Sequence, residues 1–274
     1  MLDRPKKSSV ADESRRPAND PRPAAGGFGR RQSPAGQAPA NDRPVGVPDT
    51  MEPAPAQASG GFGRRAAPQS SYGEDLKKLS QVGAKIAQHL MQAYRDPRGV
   101  HVETIVGAAA VLAGEFALRA SAPRLPDFGW IAGAPADALV YGGSDRIPVT
   151  MWSVVQVVML GIGIDRSQMP NLPAIAERAS ENIGKQFPPK LSVPTEHYPQ
   201  EFSPNAAPRF RNDVMAIARE AGLDPMQTAL ALAFTVALLI KNAHTVVPAP
   251  ILASLAAELM VAVTRIAPLK APIQ

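Results

Sequence analysis

The chain has 274 residues, of which 19% are charged and 45% hydrophobic, with a formal net charge of +5 and no cysteine. Without a thiol, disulfide scaffolding, thiolate catalysis and cysteine-ligated metal or iron–sulfur centres are excluded. The charge is uneven: residues 1–72 carry 11 Lys or Arg against 7 Asp or Glu, and residues 73–274 carry 18 against 17.

Residues 1–72 are dominated by Pro, Ala, Gly, Ser, Arg and Asp, and their only aromatic residues are Phe28, Phe62 and Tyr72. So little apolar surface cannot offset the entropy of ordering the backbone, and a disordered N-terminal arm is expected. The basic start has no apolar core behind it, so no secretory signal peptide is expected, and the acids among its arginines argue against a transit peptide. A cytoplasmic location is expected, with peripheral membrane attachment as the alternative.

Within this arm one hexapeptide occurs twice. GGFGRR spans Gly26, Gly27, Phe28, Gly29, Arg30 and Arg31, and recurs 34 residues later as Gly60, Gly61, Phe62, Gly63, Arg64 and Arg65, each copy with a proline three residues on, at Pro34 and Pro68. Local duplication in a biased tail would produce the repeat without any function. As chemistry, it combines a phenylalanine that can enter an apolar pocket with glycines that let the backbone approach closely. The paired arginines add directional bonds to carboxylates or phosphates. Two such elements on a random-coil arm would stand on the order of 30 Å apart, a spacing suited to bivalent engagement of a partner protein. The same residues could contact single-stranded nucleic acid, but two isolated phenylalanines make a sparse stacking platform.

From Gly73 onward long apolar runs take over. Leu76, Leu79, Val82, Ile86, Leu90 and Met91 have helical spacing, Glu74 and Asp75 suit the positive end of such a helix, and DPRG at 96–99 is a natural stop. A second helix is expected over Val102 to Ala120, where Gly107, Ala110, Ala113, Gly114 and Ala117 permit close approach by a neighbour. Glu115 in that run is either on an exposed seam or paired inside. Short helices are expected at Asp127 to Ile131 and Pro135 to Leu139, then a buried helix over Val149 to Ile162 and an amphipathic one over Asn171 to Gln186. The six prolines between Phe187 and Arg209 preclude an interior helix there and suggest a segment that drapes over the domain or meets a partner. Further helices are expected over Ala207 to Ala221, Pro225 to Asn242 and Pro248 to Ile266, with Asp224 capping the second of these.

The apolar stretch from Ala229 to Ile240 is too short to span a bilayer, and the next one contains Pro248, Pro250 and Glu258. These read as two adjacent buried helices at the centre of the domain, or as a homo-oligomer interface if the domain leaves them uncovered. The fold class is therefore all-α, a multi-helix domain of about seven helices behind the arm.

No catalytic signature stands out. GIGID at 161–165 has Arg166 where a dinucleotide loop needs its third glycine, so it reads as a helix end, with Asp165 as a turn or cap residue. His89, His101, His197 and His244 are scattered; HVE at 101–103 and TEH at 195–197 each bring a carboxylate near an imidazole without HExxH spacing. Glu115 and Glu258 could meet as acid and base, but acids isolated in Ala-rich helices more often mark exposed faces or ion pairs. No cofactor or metal is assigned. The expected role is an interaction or scaffolding protein that recruits a partner bivalently through the two motifs. A small-molecule enzyme in the helical domain and a nucleic-acid or membrane-associated adaptor are the alternatives.

Overall fold

The computed structural model describes residues 69–271, apart from residues 123, 144–146, 186, 188 and 202. Among the described residues the domain is all-α. Seven α-helices run in order: α1 (Gln69–Ala93), α2 (Val102–Ser121), α3 (Met151–Gly161), α4 (Leu172–Glu181), α5 (Ala206–Glu220), α6 (Pro225–Ala243) and α7 (Ala249–Val263). A single π-helical turn lies at Ala138–Gly142.

Local chemistry sets most of the boundaries. α1 begins at Gln69, ahead of Gly73, so Glu74 and Asp75 fall beyond its first turn and are not placed to act on its dipole. It ends before a tight turn in which Asp96 and Gly99 exchange both backbone hydrogen bonds, with Gly99 at a φ of 116°. The imidazole of His101 caps α2 by accepting the Thr104 N–H. Thr150 and Ser153 form a reciprocal capping box on α3, and Asp224 and Gln227 form another on α6, where Pro225 occupies the first turn.

α2 and α6 form the central pair. α2 also packs on α7 and α5, α6 also packs on α1 and α3, and α4 lies against α7. Two glycines allow the closest approaches. A Cβ added at Gly83 would lie 2.6 Å from the Ala231 carbonyl oxygen, and one at Gly114 would lie 2.3 Å from that of Met260. Each glycine costs about 1 kcal/mol of helix propensity relative to alanine, and the contact it permits offsets that cost. α2 and α6 have the length and apolarity to cross a membrane, but 83% of the apolar window of α2 and 56% of that of α6 are buried inside the bundle.

The irregular middle departs from expectation. Residues 127–131 are not helical: Gly129 and Gly133 have φ values of 92° and 81°, and Trp130 pairs with Ile266. Ile131 N–H donates to Arg265 O and Ala267 N–H to Gly129 O, so the loop spends its backbone groups on the segment after α7. The helix expected at Pro135 to Leu139 forms later, as the π-helical turn. α4 stops at Glu181, short of Gln186, and Gly184 follows at a φ of 80°. α7 likewise stops at Val263, and Arg265 and Ile266 continue into the bridge.

Candidate functional site

Four carboxylates organise the polar chemistry of the domain. Glu115 is almost fully buried on α2. It accepts from Arg119 Nε at 2.7 Å and from Arg211 on α5, whose Nη2 lies 2.8 Å from Oε2. Arg211 Nη2 also donates to the Leu269 carbonyl at 2.6 Å, which ties the C-terminal segment to α5. The ion-paired reading of Glu115 is the correct one.

Glu258 on α7 is buried as well. It accepts from the Ser192 N–H at 2.8 Å, from the Ser192 hydroxyl, and from Arg178 Nη2 on α4 at 3.2 Å. Glu115 and Glu258 thus have entirely separate partners and do not form an acid–base pair.

The third centre unites the two fragments HVE and TEH. Glu103, with a side chain 8% exposed, accepts from His197 Nδ1 at 2.9 Å, and His101 Nε2 lies 3.6 Å from its other oxygen. Because His101 Nδ1 accepts the Thr104 N–H, the neutral ring carries its proton on Nε2, facing Glu103. Thr104 Oγ1 sits 2.9 Å from His101 Nδ1 and accepts the Gln200 N–H at 3.0 Å. These bonds fasten the proline-rich segment to the start of α2. Tyr94 donates from its hydroxyl to Glu201 at the same end of the segment, and burial foremost, then that bond, raises its pKa above the usual range.

The fourth centre is Asp137, held in a two-pronged pair by Arg265 Nη1 at 2.7 Å and Nη2 at 3.0 Å. Arg265 is 1% exposed, and Tyr141 donates to Asp137 Oδ2 at 2.7 Å. Burial first, then the Asp137 bond, pushes the Tyr141 pKa up to about 12. No feature of the sequence marks Arg265 as buried; it follows an apolar helix and looks like a surface terminator.

His89 pairs with Asp213 at 3.0 Å on the surface, and His244 bonds to the Lys241 carbonyl. Among the described residues no three His, Asp or Glu side chains converge as a metal site. GIGID is a helix end: Gly161 closes α3, Gly163 has a φ of 84°, and Asp165 opens the next turn, its N–H donating to Gln168 Oε1 at 3.1 Å.

Among the clefts formed by the described residues, two lie at opposite ends of the α2–α6 pair. One, of about 330 Å³, lies between the end of α2, the end of α5 and the start of α6, and is lined by Phe116, Arg119, Met215, Arg219, Leu223 and Pro225 among others. The other, of about 180 Å³, is lined by Met91, Val102, Val106, Leu239 and Val246 among others. Comparisons with protein families, curated proteins and solved structures give no match. The twelve motif residues, Gly26 to Arg31 and Gly60 to Arg65, lie outside the described residues. The second copy ends four residues before α1 begins.

Proposed function

We propose that the protein is an interaction or scaffolding protein: the helical domain is a stable platform, and residues 1–68 present two copies of GGFGRR to a partner protein. The observation that carries this reading is the exact repetition of a hexapeptide with an aromatic anchor and two cations, in a segment whose sequence is otherwise poor in large apolar residues. The organisation of the domain supports it. Its buried carboxylates are engaged by arginines, histidines or a serine that fasten one element to another. The apolar surfaces of α6 and α7 are largely occupied within the chain, so recognition is assigned to the motifs rather than to self-association through these helices.

Each copy supplies one phenylalanine and two guanidiniums, which suits an apolar pocket rimmed by carboxylates. Two copies on one chain raise the effective concentration of the second contact once the first has formed. Peptide competition tests the reading. A synthetic peptide spanning residues 24–34 should displace the captured partner, and the same peptide with Phe28→Ala should not. Equal displacement by both peptides, or by neither, contradicts it.

One observation favours a second, enzymatic reading: Glu103 between His101 and His197 is a carboxylate–imidazole cluster of the kind used to move protons. An activity that survives removal of both motifs and disappears in Glu103→Gln, with the helical content of that variant intact, would establish it.

A further inference from the structure

The larger cleft has a chemical character that the repeated motifs do not explain. Its floor is apolar, built from Phe116, Met215, Leu223 and Pro225, and its two charged lining residues are Arg119 and Arg219. Among the described residues that line it, none is acidic. The guanidinium of Arg219, in the last turn of α5, makes no hydrogen bond or ion pair among the described residues, while its backbone carbonyl accepts from the Gly222 N–H. Arg119 commits Nε to Glu115, but the same carboxylate also serves Arg211, so one buried negative charge balances two guanidiniums. The cluster therefore has one positive charge in excess, and Arg219 adds another at the mouth. Met215 is 39% exposed in the lining, an apolar, adaptable side chain left facing water.

We infer that this cleft binds a small carboxylate-headed apolar molecule, of the class of a medium-chain fatty acid. The carboxylate is held by Arg219 with the free edge of Arg119, and the hydrocarbon body lies over Phe116, Met215 and Leu223. Charge complementarity selects the head, because an anion completes the unbalanced guanidinium group with charge-assisted hydrogen bonds. Volume selects the body. At about 30 Å³ per methylene-sized group, the cleft takes on the order of ten non-hydrogen atoms, and its size is at the lower end for small-molecule sites. The site is independent of the motif-based reading, since it uses no residue before α1.

The test is calorimetric titration of the full-length chain with decanoate below its micelle concentration, with decanol as the neutral control. The expected result is saturable binding at one site with a negative heat-capacity change, at least tenfold tighter for decanoate than for decanol. Arg219→Ala should weaken decanoate at least tenfold and leave decanol within twofold. Met215→Glu, which puts a negative charge in the lining, should weaken both. Because Arg219 and Met215 are exposed, circular dichroism of these variants should match the parent chain. Absence of saturable heat, equal affinity for acid and alcohol, or an unchanged Arg219→Ala titration would overturn the inference. So would failure of decanoate alongside Arg219-dependent binding of an acidic amphipathic peptide, which would make the cleft a peptide groove. Phe28→Ala with Phe62→Ala should leave the decanoate titration unchanged, which separates this site from the recruitment motifs.

Discussion

Gly114→Ala is a one-carbon change that should destabilise the domain even though alanine is the better helix former. The new Cβ would lie 2.3 Å from the Met260 carbonyl oxygen, 3.1 Å from its carbon and 3.2 Å from its Cα. All three are backbone atoms of α7, so no side-chain rotation relieves the clash. α2 and α7 must separate locally by about 1 Å, a gap that forfeits a quarter to a half of each affected dispersion contact. Overpacking of this kind costs about 1–3 kcal/mol and sometimes more. The rigid obstacle puts this site at the upper end, and about 1 kcal/mol of recovered helix propensity is set against it. A net loss of about 2 kcal/mol follows, or a fall in Tm of roughly 4–8 °C for a domain of this size. Gly161→Ala is the matched control, because nothing lies within 4 Å of its added Cβ and its φ is not positive. It should be neutral or raise Tm. Thermal and urea unfolding followed by circular dichroism at 222 nm reads both variants. A Gly114→Ala chain as stable as its parent would refute the close helix contact and the reason given for that glycine.

Glu115→Ala leaves Arg211 without its buried anion and should cost about 3–5 kcal/mol by urea denaturation, more than Arg119→Ala, whose side chain is 35% exposed. Tyr141 has a folded pKa raised to about 12 from an ordinary 10, so its contribution to stability is complete below pH 10 and is lost as the pH rises from 10 through 12. Phenolate absorbance near 295 nm should include a late-titrating tyrosine that Tyr141→Phe removes. Glu103→Ala releases His197 and should speed proteolytic cleavage within residues 187–205 while the helical signal persists. Unchanged cleavage would mean that the Glu103 bonds do not hold that segment in place.

The helices were legible where local chemistry decides them. Apolar periodicity marked α1 and α4, Asp224 with Pro225 marked the start of α6, and the small residues of α2 marked a surface for close packing, realised at Gly114. Distance along the chain hid the rest. Glu115 meets an arginine 96 residues away, and HVE meets TEH across 94, so periodicity could say only that these acids needed partners. The failed helix at 127–131 has the same origin. Its backbone donors and acceptors go to Arg265 and Ala267, and a long-range bridge overrides a weak local preference. The cleft arginines were hidden for another reason: a guanidinium in the last turn of a helix looks like an ordinary dipole partner until the apolar floor beside it is seen.

The central claim, recruitment of a partner through two equivalent motifs, is tested most directly by quantitative capture. The intact chain, Phe28→Ala, Phe62→Ala and the double variant would be compared at equal loading, with circular dichroism confirming the fold of each. The account predicts that each single variant retains the same partner at reduced yield and that the double variant loses it to background. Equal recovery of that partner by all four chains would contradict the claim.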